Sequence, residues 1–346
     1  VQINSLFKYK VAKSITSSLK ALLQATRPRT FPLAIANIVC GNGLALSQIA
    51  SSSSLGWHNI TVFLLTLWVA LALQILSNLA NDYGDGVKGT DNLRDINSPE
   101  RMIAQGLLRP EQLKRLIIGW ATITFFSGVA LISIGFDNLR DFLIFLAFGI
   151  IAIIAAMAYT MGKRPYGYRA MGEVAVLVFF GWLAVLGSIY LQTGQVELSH
   201  LLPATGCGGL AACVLYVNNM RDIYSDKQAG KITLAVLLGS KRMRVGYTLL
   251  MALSILCYLL YGIVYNLYSL LWVLALPLMA KHLSVIYSVR PIGASSYSKV
   301  STMNSKMNSK IDTVLIGSQL KSIVKLTLIV NLLFVLGLGI SHLFHS

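Results

Sequence analysis

The sequence predicts an all-α, polytopic membrane protein of about nine transmembrane helices, arranged as two four-helix repeats plus one. Three observations predict it. The first is composition: of 346 residues, 55% are hydrophobic and only 12% charged, against about 25% charged in an average soluble domain. With a mean hydropathy of +0.67, this argues against an ordinary water-soluble enzyme, and the apolar content excludes disorder. The second is a series of apolar runs long enough to cross a bilayer, which takes about 20 residues each. They fall near 31–50, 59–80, 116–136, 142–161, 172–192, 200–218, 246–266, 267–280 and 326–345. The third is the distribution of Lys and Arg between those runs.

Taken in order, residues 1–30 carry Lys8, Lys10, Lys13 and Lys20 among Leu, Phe and Ile. This pattern suits a helix lying in the cytoplasmic interface, and it has no signal-peptide core or cleavage site. Residues 31–345 then form one transmembrane domain. The eighth run is the shortest and ends at Lys281-His282. Residues 290–325 read as a polar cytoplasmic insert, with SSYSKVSTMNSKMNSK at 295–310 as its surface-exposed centre. Of the 29 Lys and Arg residues, all but Arg140 fall in the N-terminal segment or in 81–115, 162–171, 219–245 and 281–325. The alternate connections are bare. Such alternation is the positive-inside signature: it places the N-terminus and these loops in the cytoplasm, and it supports the span count. The net charge of +16 thus belongs to a lipid surface and not to a nucleic-acid partner. The four cysteines lie inside apolar runs without metal-ligand spacing, and the five histidines are scattered; neither set is assigned chemistry.

Aspartates are scarce, yet they cluster. The second run ends in NLANDYGDGVKGTDN (78–92) and the sixth in NNMRDIYSDKQAGKIT (218–233). Each holds Asn-x-x-x-Asp, as Asn78/Asp82 and Asn218/Asp222, followed by a further acid, Asp85 or Asp226. The i, i+4 spacing puts Asn and Asp on one helix face. Four crossings separate the two runs, so both motifs lie on the same side of the membrane, as a parallel internal repeat would place them. Facing carboxylates repel unless a cation lies between them. Hard oxygen donors suit Mg²⁺, which takes few protein ligands and prefers phosphate oxygens. The two motifs therefore read as a clamp for a metal-bound diphosphate, against the plainer alternative of helix caps and interface charges.

Cations surround them. Lys88, Arg94 and Arg101 follow the first motif, and Arg221, Lys227 and Lys231 accompany the second. Lys163 and Arg164 lie in YTMGKRPYGYRAMGE (159–173), and Arg27 and Arg29 precede the first run. Some must offset the charge of a phosphate ligand, while others merely anchor loops. Gly84, Gly86 and Gly89 would let the backbone turn sharply after the second helix.

At these residues the chain resembles the UbiA superfamily of intramembrane aromatic prenyltransferases. NDYGDGVKGTD (81–91), RPYGYRAMGE (164–173), VFFGWLAVLGSIYLQ (178–192), NNMRDIYSDKQAGKITL (218–234) and NLLFVLGLG (331–339) are together similar to its 1,4-dihydroxy-2-naphthoate polyprenyltransferase branch. The resemblance runs from residue 25 to 345 apart from the insert. It implies about nine helices around a central cavity open to lipid, with a cytoplasmic cap carrying the Asp-rich motifs. It implies Mg²⁺ held through the diphosphate by Asn78, Asp82, Asp85, Asn218, Asp222 and Asp226, with Asn81 and Asp91 beside them. Many members carry a third acid four residues after the second; here that position is Gly89 and the next acid is Asp91.

The implied substrates are a polyprenyl diphosphate and 1,4-dihydroxy-2-naphthoate, joined with decarboxylation to give demethylmenaquinol in menaquinone biosynthesis. In that scheme Lys163, Arg164 and Arg221 add positive charge, with Lys88 and Arg27 beside the substrate. Tyr159, Tyr166 and Tyr168 are candidates to steady an allylic cation through their ring faces. Two rival readings remain: a family member acting on another acceptor such as 4-hydroxybenzoate, and a secondary transporter, which shares the helix number, the repeat and the intramembrane acids. Transporters place such acids near the midplane, whereas here they lie at helix ends.

Overall fold

The apolar runs become long helices in the computed structural model, which describes residues 23–52, 55–90, 102–103, 106–289 and 303–345. Among the described residues nine helices are long and apolar enough to span a membrane. They are α1 Phe31–Ser52, α2 Trp57–Val87, α3 Pro110–Gly135, α4 Leu139–Ala158, α5 Gly172–Thr193, α6 Leu201–Arg221, α7 Leu234–Val264, α8 Leu267–Ser288 and α9 Met303–His345. Their starts carry local signals. Pro110 occupies the first turn of α3, where its missing N–H costs nothing. Asn138, Thr233 and Asn266 cap α4, α7 and α8 by accepting the N–H of Asp141, Val236 and Ser269. Most of the expected N-terminal interfacial helix, and residues 290–302 of the insert, lie outside the described residues.

Three boundaries differ from the sequence reading. α2 runs on through Val87, so the first acidic motif is helical throughout. Gly84 and Gly86 therefore do not turn the chain. A Cβ on Gly84 would meet the Thr160 carbonyl oxygen at 2.6 Å, and one on Gly86 would meet Ile103 Cβ at 2.8 Å. These glycines buy close approach, and only Gly89 takes a left-handed φ, 73°. α8 does not stop at Lys281-His282. It opens as a 3₁₀ helix, Leu267–Ala275, which rises faster per residue than an α-helix, and continues to Ser288 because buried His282 bonds the Tyr247 hydroxyl and Gln319. Finally, the expected surface insert is helical from Met303 onwards. No Gly or Pro interrupts residues 303–316, so the helix of the last span propagates back into them.

α6 sits at the centre. Its Gly and Ala residues let neighbours approach closely: a Cβ on Gly181 of α5 would lie 2.8 Å from the Ala204 carbonyl oxygen and from Gly208 Cα. That contact falls in a ten-residue π-helical stretch of α5, Leu177–Leu186, a form that clusters at functional sites. The main core joins α1 and α5 to α9, while a second core holds α2 and α3 around Leu76, Leu79, Met102 and Leu113. α4 packs on α2 and α3, and its Leu139, Leu143, Ile151 and Ile154 point outward, as lipid-facing side chains do. Between the cores lies a cavity of about 980 Å³. At the end away from the acidic motifs, Gln192 donates to Asn42 Oδ1 and to the Asn59 carbonyl, tying α5 to α1 and α2.

Candidate active site

The cavity is apolar over most of its wall and polar at one end. One stripe of α2 lines it: Gln74, Ser77, Asn78, Asn81 and Asp85. Steps of three and four residues keep that stripe on a single face. Arg27, Arg29 and Thr30 border it from the start of α1, and Asn218, Arg221 and Lys231 from the second motif. Asn78 is fixed by donating from Nδ2 to the Thr26 carbonyl at 2.8 Å and to Thr30 Oγ1 at 3.1 Å. Asn81 Oδ1 accepts from Thr160 Oγ1 at 3.2 Å. Arg27 adopts a left-handed backbone, φ 51°, an uncommon state for a non-glycine residue and one that clusters at functional sites.

The four aspartates are all buried, at most 4% exposed, but they divide into two kinds. Asp85 and Asp226 meet across the site at one ammonium: Lys231 Nζ is 3.4 Å from Asp85 Oδ2 and 3.9 Å from Asp226 Oδ1. Lys231 itself is only 4% exposed. A backbone bond from its N–H to the Asp226 carbonyl, 2.8 Å, closes the turn that aims it. Asp82 and Asp222 instead bond elsewhere, and of the four aspartates Asp85 alone is in the cavity lining. Asp82 Oδ2 accepts the Met102 N–H at 2.9 Å. Asp222 accepts from Nε and Nη2 of Arg221, at 2.7 and 2.6 Å, while Nη2 also reaches Asn218 Oδ1 at 2.8 Å. The reason is angular. At about 100° per residue, Asn78 and Asp85 are seven positions apart and nearly eclipsed, whereas Asp82 is rotated to the edge of the same face.

The tyrosines divide similarly. Tyr159 and Tyr166 line the cavity in an edge-to-face pair, ring centroids 5.3 Å apart. Burial raises both phenols, Tyr166 to about 12, with Glu173, Asp85 and Asp226 adding to the rise at Tyr159. Both are therefore neutral near pH 7 and do not act as bases. Tyr168 lies outside the lining. Its hydroxyl donates to Asp85 Oδ1 and contacts Thr90 Oγ1, each at 2.8 Å, and its ring already carries Lys88 Nζ at 4.9 Å and Lys231 Nζ at 5.2 Å. It orients Asp85, and its face is not open to a substrate cation. Burial lowers the Lys88 pKa against the pull of Asp85, and Lys231 pushes the same way. Lys88 also donates to the Thr160 carbonyl, tying α2 to the tyrosine loop. That loop is stitched in turn to the segment carrying Lys231, because Ala170 N–H bonds the Ile232 carbonyl at 2.8 Å.

Lys163 and Arg164 are exposed and do not line the cavity; Gly162, at φ 88°, turns the chain just before them. Asp91, Arg94 and Arg101 lie outside the described residues. Sequence reasoning underrated Lys231 and passed over Gln74, Ser77 and Lys321, which all line the cavity. Gln74 and Ser77 were within reach by extending the Asn78 stripe one turn back.

Among the described residues no three of His, Cys, Asp and Glu converge tightly enough to cage a metal alone. The donor set still suits a hard cation. Two buried carboxylates, Asp85 in the cavity wall and Asp226, meet at Lys231 Nζ, and a Mg²⁺ ion held there would draw further ligands from phosphate oxygens and water.

The fold and site together define a class of protein: an all-helical membrane bundle with an apolar chamber whose acids and cations collect at one end. The profile of the UbiA prenyltransferase family matches residues 43–304, and the chain belongs to that family; it is a prenyltransferase. It is 41% identical over 328 residues to a 1,4-dihydroxy-2-naphthoate octaprenyltransferase of Escherichia coli (strain K12), covering 94% of this chain and 97% of that one. It is 43% identical over 277 residues to the protein of the same description in Haemophilus influenzae, covering 80% and 88%. Its fold is that of a UbiA homologue from Archaeoglobus fulgidus solved with DMAPP and Mg²⁺, at a TM-score of 0.55 and 16% identity over 87% of this chain and 99% of that one.

Proposed function

We propose that the chain transfers a polyprenyl group from polyprenyl diphosphate to 1,4-dihydroxy-2-naphthoate with loss of CO₂, giving demethylmenaquinol in the bacterial inner membrane. The acidic motifs would face the cytoplasm. The observation that carries this is the cavity itself: an apolar chamber of about 980 Å³ whose one polar end gathers Asp85, Lys231, Asn78, Asn218, Arg221 and Arg27. The names of relatives at 41% and 43% identity support the acceptor.

The diphosphate lies at that polar end, where Arg27, Arg221 and Lys231 supply fixed positive charge in a site shielded from water. Asp85 and Asp226 would hold Mg²⁺, which when bound neutralises charge on the leaving diphosphate. The allylic C–O bond breaks and its electron pair leaves with the diphosphate. Tyr159 and Tyr166 present neutral ring faces to the cationic carbon, a contact worth about 0.5–2 kcal/mol each. The ring carbon bearing the carboxylate forms the new C–C bond. The carboxylate then departs as CO₂, and its bonding pair restores the aromatic diol. The prenyl tail runs along the apolar wall and leaves between α4 and α5, where an apolar groove lies among Ile144, Phe148, Val178 and Trp182. Drawing the tail into water would cost about 0.8 kcal/mol per CH₂.

The test uses purified protein in detergent with Mg²⁺, a polyprenyl diphosphate and acceptors labelled in the carboxyl group. Prenylation of the naphthoate with stoichiometric release of labelled CO₂ is expected. Prenylation of 4-hydroxybenzoate with its carboxyl retained would overturn the acceptor, and no turnover without a sealed membrane would favour a carrier.

A further inference from the structure

Two amide side chains in the cavity wall are left with unpaired atoms. Gln74 on α2 is 8% exposed and Asn37 on α1 is 1% exposed; both line the cavity, and Gln74 Oε1 and Asn37 Nδ2 have no hydrogen-bond partner. The neighbouring hydroxyls behave differently. Thr66, Thr124 and Ser188 also line the cavity, yet each donates to the carbonyl four residues earlier in its own helix. Unpaired polar groups in a membrane interior are costly and mark functional sites. An isoprenoid tail offers them nothing.

Their depth is defined by the Asn78–Thr30 bond, which sets the register of two antiparallel neighbours. Gln74 lies one turn, about 6 Å, inward from Asn78, and Asn37 about 10 Å inward from Thr30. The two amides are thus about one helical turn or less apart in depth, just beyond the diphosphate end. Gln74 is left with an unused acceptor. Asn37 is left with an unused donor, because its Oδ1 already takes the Cys207 thiol at 2.9 Å. A phenolic diol supplies the complement: a hydroxyl to donate to Gln74 and an oxygen to accept from Asn37.

Resting on the acceptor class proposed above, we infer that Gln74 and Asn37 form the subsite for the ring oxygens of the aromatic acceptor. The experiment measures KM for 1,4-dihydroxy-2-naphthoate, for each of its mono-methyl ethers and for polyprenyl diphosphate, in the wild type, Gln74→Leu and Asn37→Leu, with the thermal midpoint of each. Either variant is expected to raise the acceptor KM about tenfold and to leave the diphosphate KM unchanged. Gln74→Leu should also erase the wild-type penalty against one ether, which lacks the proton Gln74 accepts. Its midpoint should hold or rise, because it removes an unpaired buried oxygen. Unmoved acceptor KM, equal shifts in both KM values, or a sharp fall in midpoint would overturn the subsite and leave prenyl transfer standing. A wild type that prenylates no naphthalenediol would overturn the acceptor reading and the subsite with it.

Discussion

The two acidic motifs share a sequence pattern but not an arrangement. In the first, the helix continues through the motif, and Asp85 is held from outside by Tyr168 at 2.8 Å and Lys231 at 3.4 Å. In the second, the helix breaks at Asp222 and restarts as the short segment Ile223–Gln228, so the motif is held from within, by Arg221 bridging Asn218 and Asp222. In each motif the second acid meets Lys231 while the first acid bonds elsewhere, to the Met102 N–H or to Arg221. The repeated pattern thus repeats its pairing but not the backbone that holds it.

Substitutions can break or sharpen that contrast. The largest effect is expected for Asp85→Asn and Asp226→Asn, each lowering kcat about a thousandfold with the thermal midpoint little changed, as read by incorporation of labelled prenyl groups. Equal losses for Asp82→Asn and Asp222→Asn would erase the distinction between the two kinds of aspartate. Next is Lys231→Met, which leaves two buried carboxylates facing each other; activity should fall about a hundredfold, with partial rescue by Lys231→Arg. Asp82→Asn weakens the bond to the Met102 N–H and should cost about 1–2 kcal/mol of stability, visible in thermal denaturation, with about a tenfold activity loss following from it. Tyr168→Phe removes one hydrogen bond to Asp85 and should lower kcat about fivefold. The smallest effect is expected for Lys163→Ala with Arg164→Ala, under about threefold, because exposed charges act through screened water.

Much of this was legible before any coordinates. Hydropathy and the 28-to-1 division of basic residues located the spans, and the Asn-x-x-x-Asp repeats marked the polar end. What the sequence left open was the direction in which a residue faces. Lys163, Arg164 and Tyr168 share a basic, aromatic loop, and spacing says nothing about which of them turns inward. The same holds for Gly84, where a close approach to Thr160 looked like a turn. Lys231 could be seen only as one cation among several, since its partner Asp85 lies 146 residues away.

By itself the sequence determined the solvent this protein lives in and the end of the bundle where its charge collects. Both follow from transfer free energies that act residue by residue. The tertiary structure alone decided which carboxylates share an ammonium, which tyrosines line the chamber, and that Gln74 and Asn37 in its wall keep unpaired atoms. Those outcomes depend on the rotation and register of helices packed far apart in the chain, which no local pattern encodes.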